Sequence, residues 1–237
     1  MIKKILICAL VFTAVLTAVY FWPWRKIRGP AENINGEDFS GERIVYQIKP
    51  AGSAEYNDLG IVNFLGKKMK LATFTTQVLN FKDTETIYSS PESLLPLRVE
   101  RDISMWPLKE NIVEEYDQDN FSIIIRKLKG KGAQEQILKA GGPIYNAVIL
   151  PFYLRSIKEL YIGWSMVFCF PQKFTVKLIS EEEIEVPAGK FQAYHFTSDP
   201  YKFDIWISKD KLRLPLKIKG AGGLGYTLLL KERTLRK

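Results

Sequence analysis

The sequence contains one histidine, His195, and two cysteines, Cys8 and Cys169, among its 237 residues. Because Cys8 lies inside an apolar N-terminal run, we do not expect it to meet Cys169 in a disulfide bond. Zinc sites in proteins combine several Cys and His ligands, which one His and two distant Cys do not supply. We therefore predict no disulfide framework and no bound metal, and no other motif indicates a cofactor.

The sequence also lacks the motifs of the common nucleophilic enzymes. It has no Gly-x-Ser-x-Gly elbow, and no second histidine that would accompany His195. His195 lies in EIEVPAGKFQAYHF, where Pro187 and Gly189 predict a turn after a strand that ends at Val186. A general base needs a partner within hydrogen-bond reach, and none is evident from the sequence. We interpret His195 as structural and predict that the protein is not an enzyme.

Two further patterns have ordinary structural explanations. GAGGLG, residues 220–225, matches a dinucleotide fingerprint, but too few residues follow it for the helix and strand of that unit. We predict a glycine-rich hairpin there. The acidic run Glu181–Glu183 with Glu185 would place like charges along one strand face, which is typical of a solvated face and not of a site.

Charge is absent from Ile5–Trp24, which reads ILICALVFTAVLTAVYFWPW. As a helix, this run would rise about 30 Å, which is the thickness of a bilayer core. Because no convincing small-residue cleavage site follows, we predict an uncleaved signal anchor over residues 1–28. A cleaved signal peptide is the alternative. The polar, glycine-punctuated residues 29–40 predict a linker.

The formal net charge is +8, and much of it comes from the C-terminal strands. Residues 209–237 carry nine Lys or Arg against two acidic residues, a local balance of nine minus two, or +7. Attraction to anionic lipid is one explanation, and solvated strand faces that discourage aggregation are the other. We predict no nucleic-acid partner.

Residues 41–237 are dominated by alternation of apolar and polar residues. ERIVYQIKP places Ile44, Tyr46 and Ile48 on one face, and similar segments separated by Gly, Pro, Asn or Asp follow to the C-terminus. This pattern predicts one mostly β domain of successive antiparallel strands.

Residues 141–160, GGPIYNAVILPFYLRSIKEL, lack this alternation. Pro143 suits the first turn of a helix, whereas Pro151 cannot occupy a helix interior. We therefore predict two short helices at about 143–149 and 151–159. A helix that is apolar on most sides must be enclosed. We therefore predict a highly curved antiparallel sheet, a half-barrel or open barrel, with one or two short helices in its concave face.

Four stretches in this order carry a resemblance to a known family: GERIVYQI (41–48), YNAVILPFYLRSI (145–157) before GW, EEIEVPAGKFQAYHF (182–196) and IWISKDKLRLPLKIK (205–219). They resemble the bacterial envelope family catalogued as domain of unknown function 3108, over most of residues 41–232. The resemblance implies an exported β-rich domain and provides no established catalytic residues. The expected architecture is also similar to the half-barrel of periplasmic lipoprotein carriers, which shelter acyl chains.

These features predict a single-pass protein of the bacterial inner membrane with its domain in the periplasm, or a soluble periplasmic protein if the signal is cleaved. The membrane is a predicted partner through residues 5–24. The leading hypothesis is non-catalytic binding of a lipid, acyl chain or other apolar envelope molecule in the concavity. The predicted pocket residues are Ile144, Val148, Phe152, Tyr153 and Trp164, with Arg155 at a polar headgroup. The alternative is a structural or protein-partner-binding envelope component, and a hydrolase using His195 is the least favoured hypothesis.

Overall fold

The computed structural model describes residues 39–129, 132–220 and 226–235. The predicted signal anchor, residues 1–28, and almost all of the predicted linker lie outside the described residues. Within the described ranges, no helix is both long enough and apolar enough to cross a bilayer.

The described chain forms fourteen strands and one short helix. The first eight strands are β1 (Glu42–Lys49), β2 (Ser53–Phe64), β3 (Lys67–Val78), β4 (Phe81–Ser89), β5 (Pro96–Met105), β6 (Leu108–Asp117), β7 (Ser122–Lys129) and β8 (Gly132–Lys139). The helix α1 (Leu150–Ser156) follows, and then β9 (Ser165–Cys169), β10 (Lys173–Val186), β11 (Gly189–Asp199), β12 (Phe203–Ser208), β13 (Pro215–Gly220) and β14 (Tyr226–Leu235).

All fourteen strands belong to one open antiparallel sheet, in the order β8-β7-β6-β5-β4-β3-β2-β1-β14-β13-β12-β11-β10-β9. Each strand is hydrogen-bonded to its sequence neighbours except at β8 and β9, and β1 joins the two halves by pairing with β14. The predicted mostly β, antiparallel class is therefore confirmed. In β1, Ile44, Tyr46 and Ile48 are buried on one face, as the alternation predicts.

The predicted helix at 143–149 is wrong. Ile144 is extended and forms a parallel bridge with Cys169. The Asn146 side-chain oxygen then accepts hydrogen bonds from the backbone N–H groups of Val148 (2.8 Å) and Ile149 (3.3 Å), which closes a turn. Because the asparagine side chain accepts these N–H groups, they do not form the hydrogen bonds of a helix, and α1 begins only at Leu150.

The second predicted helix exists, and it is shorter than 151–159. Pro151 occupies its first turn, where the missing N–H is harmless, and α1 ends at Ser156. All seven of its residues are buried. An isolated helix of this length is not stable in water, so its stability comes from packing.

The helix α1 contributes to two parts of the core. Its Phe152 stacks on Tyr56 of β2, with ring centroids 3.7 Å apart, in a cluster that includes buried side chains from β1 to β7. Its Tyr153 packs edge-on against Phe168 of β9 at 5.5 Å, in a second cluster with residues of β10, β11 and β12. We call the side of the sheet that contacts α1 the inner face.

Candidate functional site: an apolar cavity with a polar end

A cavity of about 450 Å³ lies between the α1 segment and the inner face of the sheet. Pockets that bind small molecules commonly have volumes of about 300 to 1,000 Å³. The side chains around it come from α1, the turn before α1, and both halves of the sheet. They are Tyr46, Ile48, Phe74, Thr76, Val78, Asp83, Glu85, Arg101, Ala147, Val148, Pro151, Phe152, Ile218, Tyr226 and Leu228.

Most of the cavity wall is apolar, and the wall reaches the end of the sheet where β3 meets β4. Val78 is the last residue of β3, and Tyr226, which is 49 % exposed, is the first residue of β14. The Tyr226 ring lies over Gly220 so closely that a Cβ atom at Gly220 would be 2.6 Å from it. Glycine at this position therefore allows Tyr226 to form part of the cavity wall.

The polar end of the cavity is formed by Asp83, Glu85 and Arg101. Asp83 and Glu85 alternate along β4, and Arg101 of β5 is directly opposite Glu85 in the antiparallel register. The Arg101 guanidinium donates a hydrogen bond to Asp83 Oδ2, and its Nε lies 3.4 Å from Glu85 Oε1. The other carboxylate oxygen of Asp83, Oδ1, is buried and has no hydrogen-bond partner among the residues that the structure describes.

Burial raises the pKa of Glu85 to about 7. Loss of hydration is the largest cause, and Arg101 opposes it by favouring the ionised carboxylate. The negative charges of Asp83 and Glu114 raise the pKa further, while hydrogen bonding to Asn146 lowers it. The cavity thus contains a carboxyl group that changes its charge near neutral pH.

None of the predicted site residues belongs to this polar end. The signal that could have found it is the alternation Phe81, Asp83, Glu85 and Ile87, which places two acidic residues on a face with two apolar ones. The opposite face of β4 carries Lys82, two threonines and Tyr88, so neither face is clearly apolar and the alternation alone does not show which face is buried. The contacts of Asp83 and Glu85 with Arg101 of β5 show that these two side chains belong to the cavity side of the strand.

The structure brings two of the six predicted pocket residues to the cavity. Val148 and Phe152 line it. Ile144 is fully buried in the core, and Tyr153 and Trp164 belong to the second cluster, where Trp164 packs edge-on against Phe196 at 5.9 Å.

Arg155 is held inside the protein by other groups. It makes a two-pronged ion pair with Glu42, with distances of 2.5 and 3.0 Å, and donates a third hydrogen bond to the Leu212 carbonyl at 2.8 Å. The Phe39 ring covers its guanidinium at 3.4 Å, and Arg233 also pairs with Glu42 at 2.5 Å. Arg155 therefore ties α1 to β1 and to the loop before β13.

His195 lies on β11, away from the cavity, and its ring stacks on Trp206 with centroids 4.2 Å apart. Its Nδ1 is 3.4 Å from Glu182 Oε1 and 3.5 Å from Ser180 Oγ, and its Nε2 is 3.3 Å from Asp204 Oδ1. A carboxylate thus faces each ring nitrogen. The predicted turn before this strand is present, with Gly189 at φ +131°.

No group of three or more His, Cys, Asp or Glu side chains is arranged to hold a metal ion in the part of the chain that the structure describes. Of the acidic residues near the cavity, Asp83 and Glu85 already face Arg101.

These observations define a mostly β protein with one open antiparallel sheet and an apolar cavity beside a short buried helix. The chain belongs to the family described as Protein of unknown function (DUF3108), whose model matches residues 63–231. No curated protein is similar to it in sequence.

The fold is also similar to that of a solved structure. The chain is similar to the crystal structure of a beta-barrel-like protein of domain of unknown function DUF1849 from Brucella abortus, with a TM-score of 0.52. The match covers 83 % of this chain and 98 % of that chain at 8 % sequence identity. At that identity, the likeness concerns the fold and not the activity.

Proposed function

We propose that this protein binds a lipid, an acyl chain or another apolar envelope molecule in the cavity beside α1, without catalysing a reaction. The observation that carries the proposal is the cavity itself, which has a volume of about 450 Å³ and apolar walls formed by residues such as Phe74, Val148 and Leu228. Clefts of this volume with mostly apolar walls and a few polar groups are typical binding sites for small molecules, which supports the proposal.

Curvature of the sheet is part of this proposal. Tyr56 of β2 and Phe168 of β9 both contact α1, although the two strands are seven positions apart in the sheet order. In a flat sheet that separation would be about 34 Å, at about 4.8 Å per strand, whereas a helix of this length spans about 10 Å. A sheet bent around α1 as a half-barrel accounts for both contacts, and the DUF1849 neighbour supports this form.

The energetics of such binding are favourable for a modest ligand. Each CH₂ group that leaves water contributes about 0.8 kcal/mol. Burial of several methylene groups therefore offsets the loss of translational and rotational freedom that accompanies binding. The buried polar end would fix the orientation of a ligand that has one polar group.

The proposed location is the bacterial inner membrane, with residues 5–24 as a single-pass anchor and the β domain in the periplasm. The support for this placement is the uncharged twenty-residue run with Lys3 and Lys4 ahead of it, because a short basic segment before an apolar run is typical of an export signal. A soluble periplasmic protein, formed by cleavage after the signal, is the alternative.

The test is to fill the cavity in the full-length protein and to measure labelling by a photoreactive alkane that lacks a polar head. In membranes containing the protein, we expect the probe to label peptides around Val148. Val148→Trp should remove that labelling, because the indole occupies the cavity. Val167→Trp, at a position that is 41 % exposed on β9, is the matched control and should leave it unchanged. Equal labelling of both variants would refute the proposal.

A second candidate is a structural or partner-binding role, and the exposed edge strand β8 favours it. Nearly all residues of β8 are exposed, and Ile137 is 59 % exposed, so its free edge could receive a strand from another protein. A photo-crosslinking residue at Ile137 should then give a discrete adduct in cells, whereas one at Ile179, exposed on a strand with two neighbours, should not. No adduct at Ile137 would count against this role.

A further inference from the structure

The charge balance at the polar end of the cavity constrains the ligand. Two carboxylates, Asp83 and Glu85, face a single guanidinium, that of Arg101. Glu114 adds a third negative charge that acts on both Glu85 and Arg101. A buried arginine in an apolar pocket would ordinarily suggest a site for an acid, but the positive charge of Arg101 is already neutralised within the protein.

The hydrogen-bonding groups at this end include one buried acceptor and one buried donor that have no partner among the described residues. Asp83 is 9 % exposed and lines the cavity, and its Oδ1 is a buried acceptor without a partner in the described part of the chain. Buried polar atoms in proteins are nearly always hydrogen-bonded, so this oxygen calls for a donor. The Nε–H group of Arg101 is likewise buried and has no hydrogen-bond partner among the described residues, although Glu85 Oε1 lies 3.4 Å from it. A neutral head that both donates and accepts, such as a hydroxyl or an amide, matches both unpaired groups.

We propose that the ligand of this cavity is an amphiphile with a hydrogen-bond-donating neutral or cationic head, such as a long-chain alcohol, amide or amine, and that carboxylate and phosphate heads are excluded. The head lies against the Asp83 and Glu85 carboxyl groups that line the polar end, and the chain extends along Val148 and Phe152. An anionic head would instead be placed against two carboxylates in a site from which water is largely removed. This inference rests on the proposed binding function.

The raised pKa of Glu85, about 7, adds a dependence on pH. As pH rises through this value the carboxyl loses its proton, and the attraction for a cationic head increases. Binding of an amine should therefore strengthen from mildly acidic to mildly basic pH, whereas binding of an alcohol should change much less.

The experiment uses photoreactive alkanes of one chain length with amine, hydroxyl or carboxylate heads, added to membranes that contain the full-length protein at about pH 8.5. The readout is labelling of the peptides around Val148, and each probe is compared between wild type and Asp83→Asn. Because both proteins are in the same kind of membrane, differences in partition of the probes cancel. The control is Asp102→Asn, at an exposed position on β5.

We expect Asp83→Asn to lower amine labelling and to raise carboxylate labelling, each by about tenfold, because a like charge is removed. Asp102→Asn should leave the labelling by all three probes unchanged. If Asp83→Asn leaves the labelling by the amine probe and by the carboxylate probe the same as in wild type, while the headless alkane labels both proteins, the assignment of the head is wrong and the binding function stands. If no probe, including the headless alkane, labels the cavity, the binding function itself fails. Unchanged labelling by the headless alkane in Asp83→Asn shows that the variant is folded.

Discussion

Replacing Glu85 by Gln should make the protein more stable at basic pH. The pKa of Glu85 is raised from 4.5 to about 7 in the folded protein, mainly because burial removes its hydration. The folded state therefore holds this proton more tightly than the unfolded state does. The free energy of unfolding is highest below the unfolded pKa, falls as pH rises between about 4.5 and 7, and is constant above that range with respect to this group.

The magnitude follows from the pKa shift. A shift of 7 minus 4.5, or about 2.5 units, at about 1.36 kcal/mol per unit, corresponds to about 3 kcal/mol. Because glutamine cannot ionise, the variant does not lose this stability as the pH rises. Near pH 4 the two proteins should have similar stability, and at about pH 8.5 the variant should be more stable by up to about 3 kcal/mol.

The assay is urea unfolding of the full chain in detergent micelles at both pH values, followed by tryptophan fluorescence. Glu185→Gln is the matched control, because the Glu185 side chain is 74 % exposed, and it should leave the pH dependence unchanged. If Glu85→Gln were less stable than wild type at pH 8.5, the ion pair with Arg101 would outweigh the loss of hydration and the reasoning would be refuted.

Three further substitutions have expected outcomes. Arg155→Met should lower the free energy of unfolding by about 3 kcal/mol, because among the described residues it leaves the fully buried Glu42 carboxylate with Arg233 as its one charged partner. Gly52→Ala should cost more than about 1 kcal/mol, because Gly52 has φ +123° and a Cβ atom there would lie 2.5 Å from a backbone oxygen. His195→Gln should leave the cellular function of the protein intact, as a complementation assay would measure.

For each of these three substitutions, a specific result would contradict the prediction. Gly66→Ala is the control for the glycine change, because Gly66 also has positive φ (+77°) but open space around it, so it should be tolerated better. Equal costs at the two glycines would contradict the steric argument. An Arg155→Met protein as stable as wild type would contradict the anchoring role of this ion pair. Loss of function in His195→Gln with normal amounts of folded protein would favour a hydrolase.

The sequence predicted the strands well because their period-two pattern is local. The inward face of β1 and the turn at Pro187–Gly189 depend only on alternation and turn chemistry, and both are present. The stretch YDQDNFS, residues 116–122, has the same kind of local turn chemistry, and Asp117 accepts hydrogen bonds from the backbone N–H groups of residues 119 and 120.

Prediction from the sequence was less complete where local signals favour different structures and where the structure depends on distant residues. The segment before Pro151 is apolar enough to form a helix, but the Asn146 side chain and the bridge between Ile144 and Cys169 keep it out of one. The polar end of the cavity depends on Arg101 of β5 being opposite Glu85 of β4, and neither strand alone reveals that pairing. Cavity volume depends on the shape of the whole sheet, which no single segment encodes.

Native mass spectrometry of the full-length protein, extracted from its own membrane in a mild detergent, tests the central claim most directly. Wild-type protein should carry one bound apolar molecule, and the bound mass should be lost in Val148→Trp and retained in Val167→Trp. Wild-type protein that is consistently empty, or a bound mass that persists equally in both variants, would contradict it.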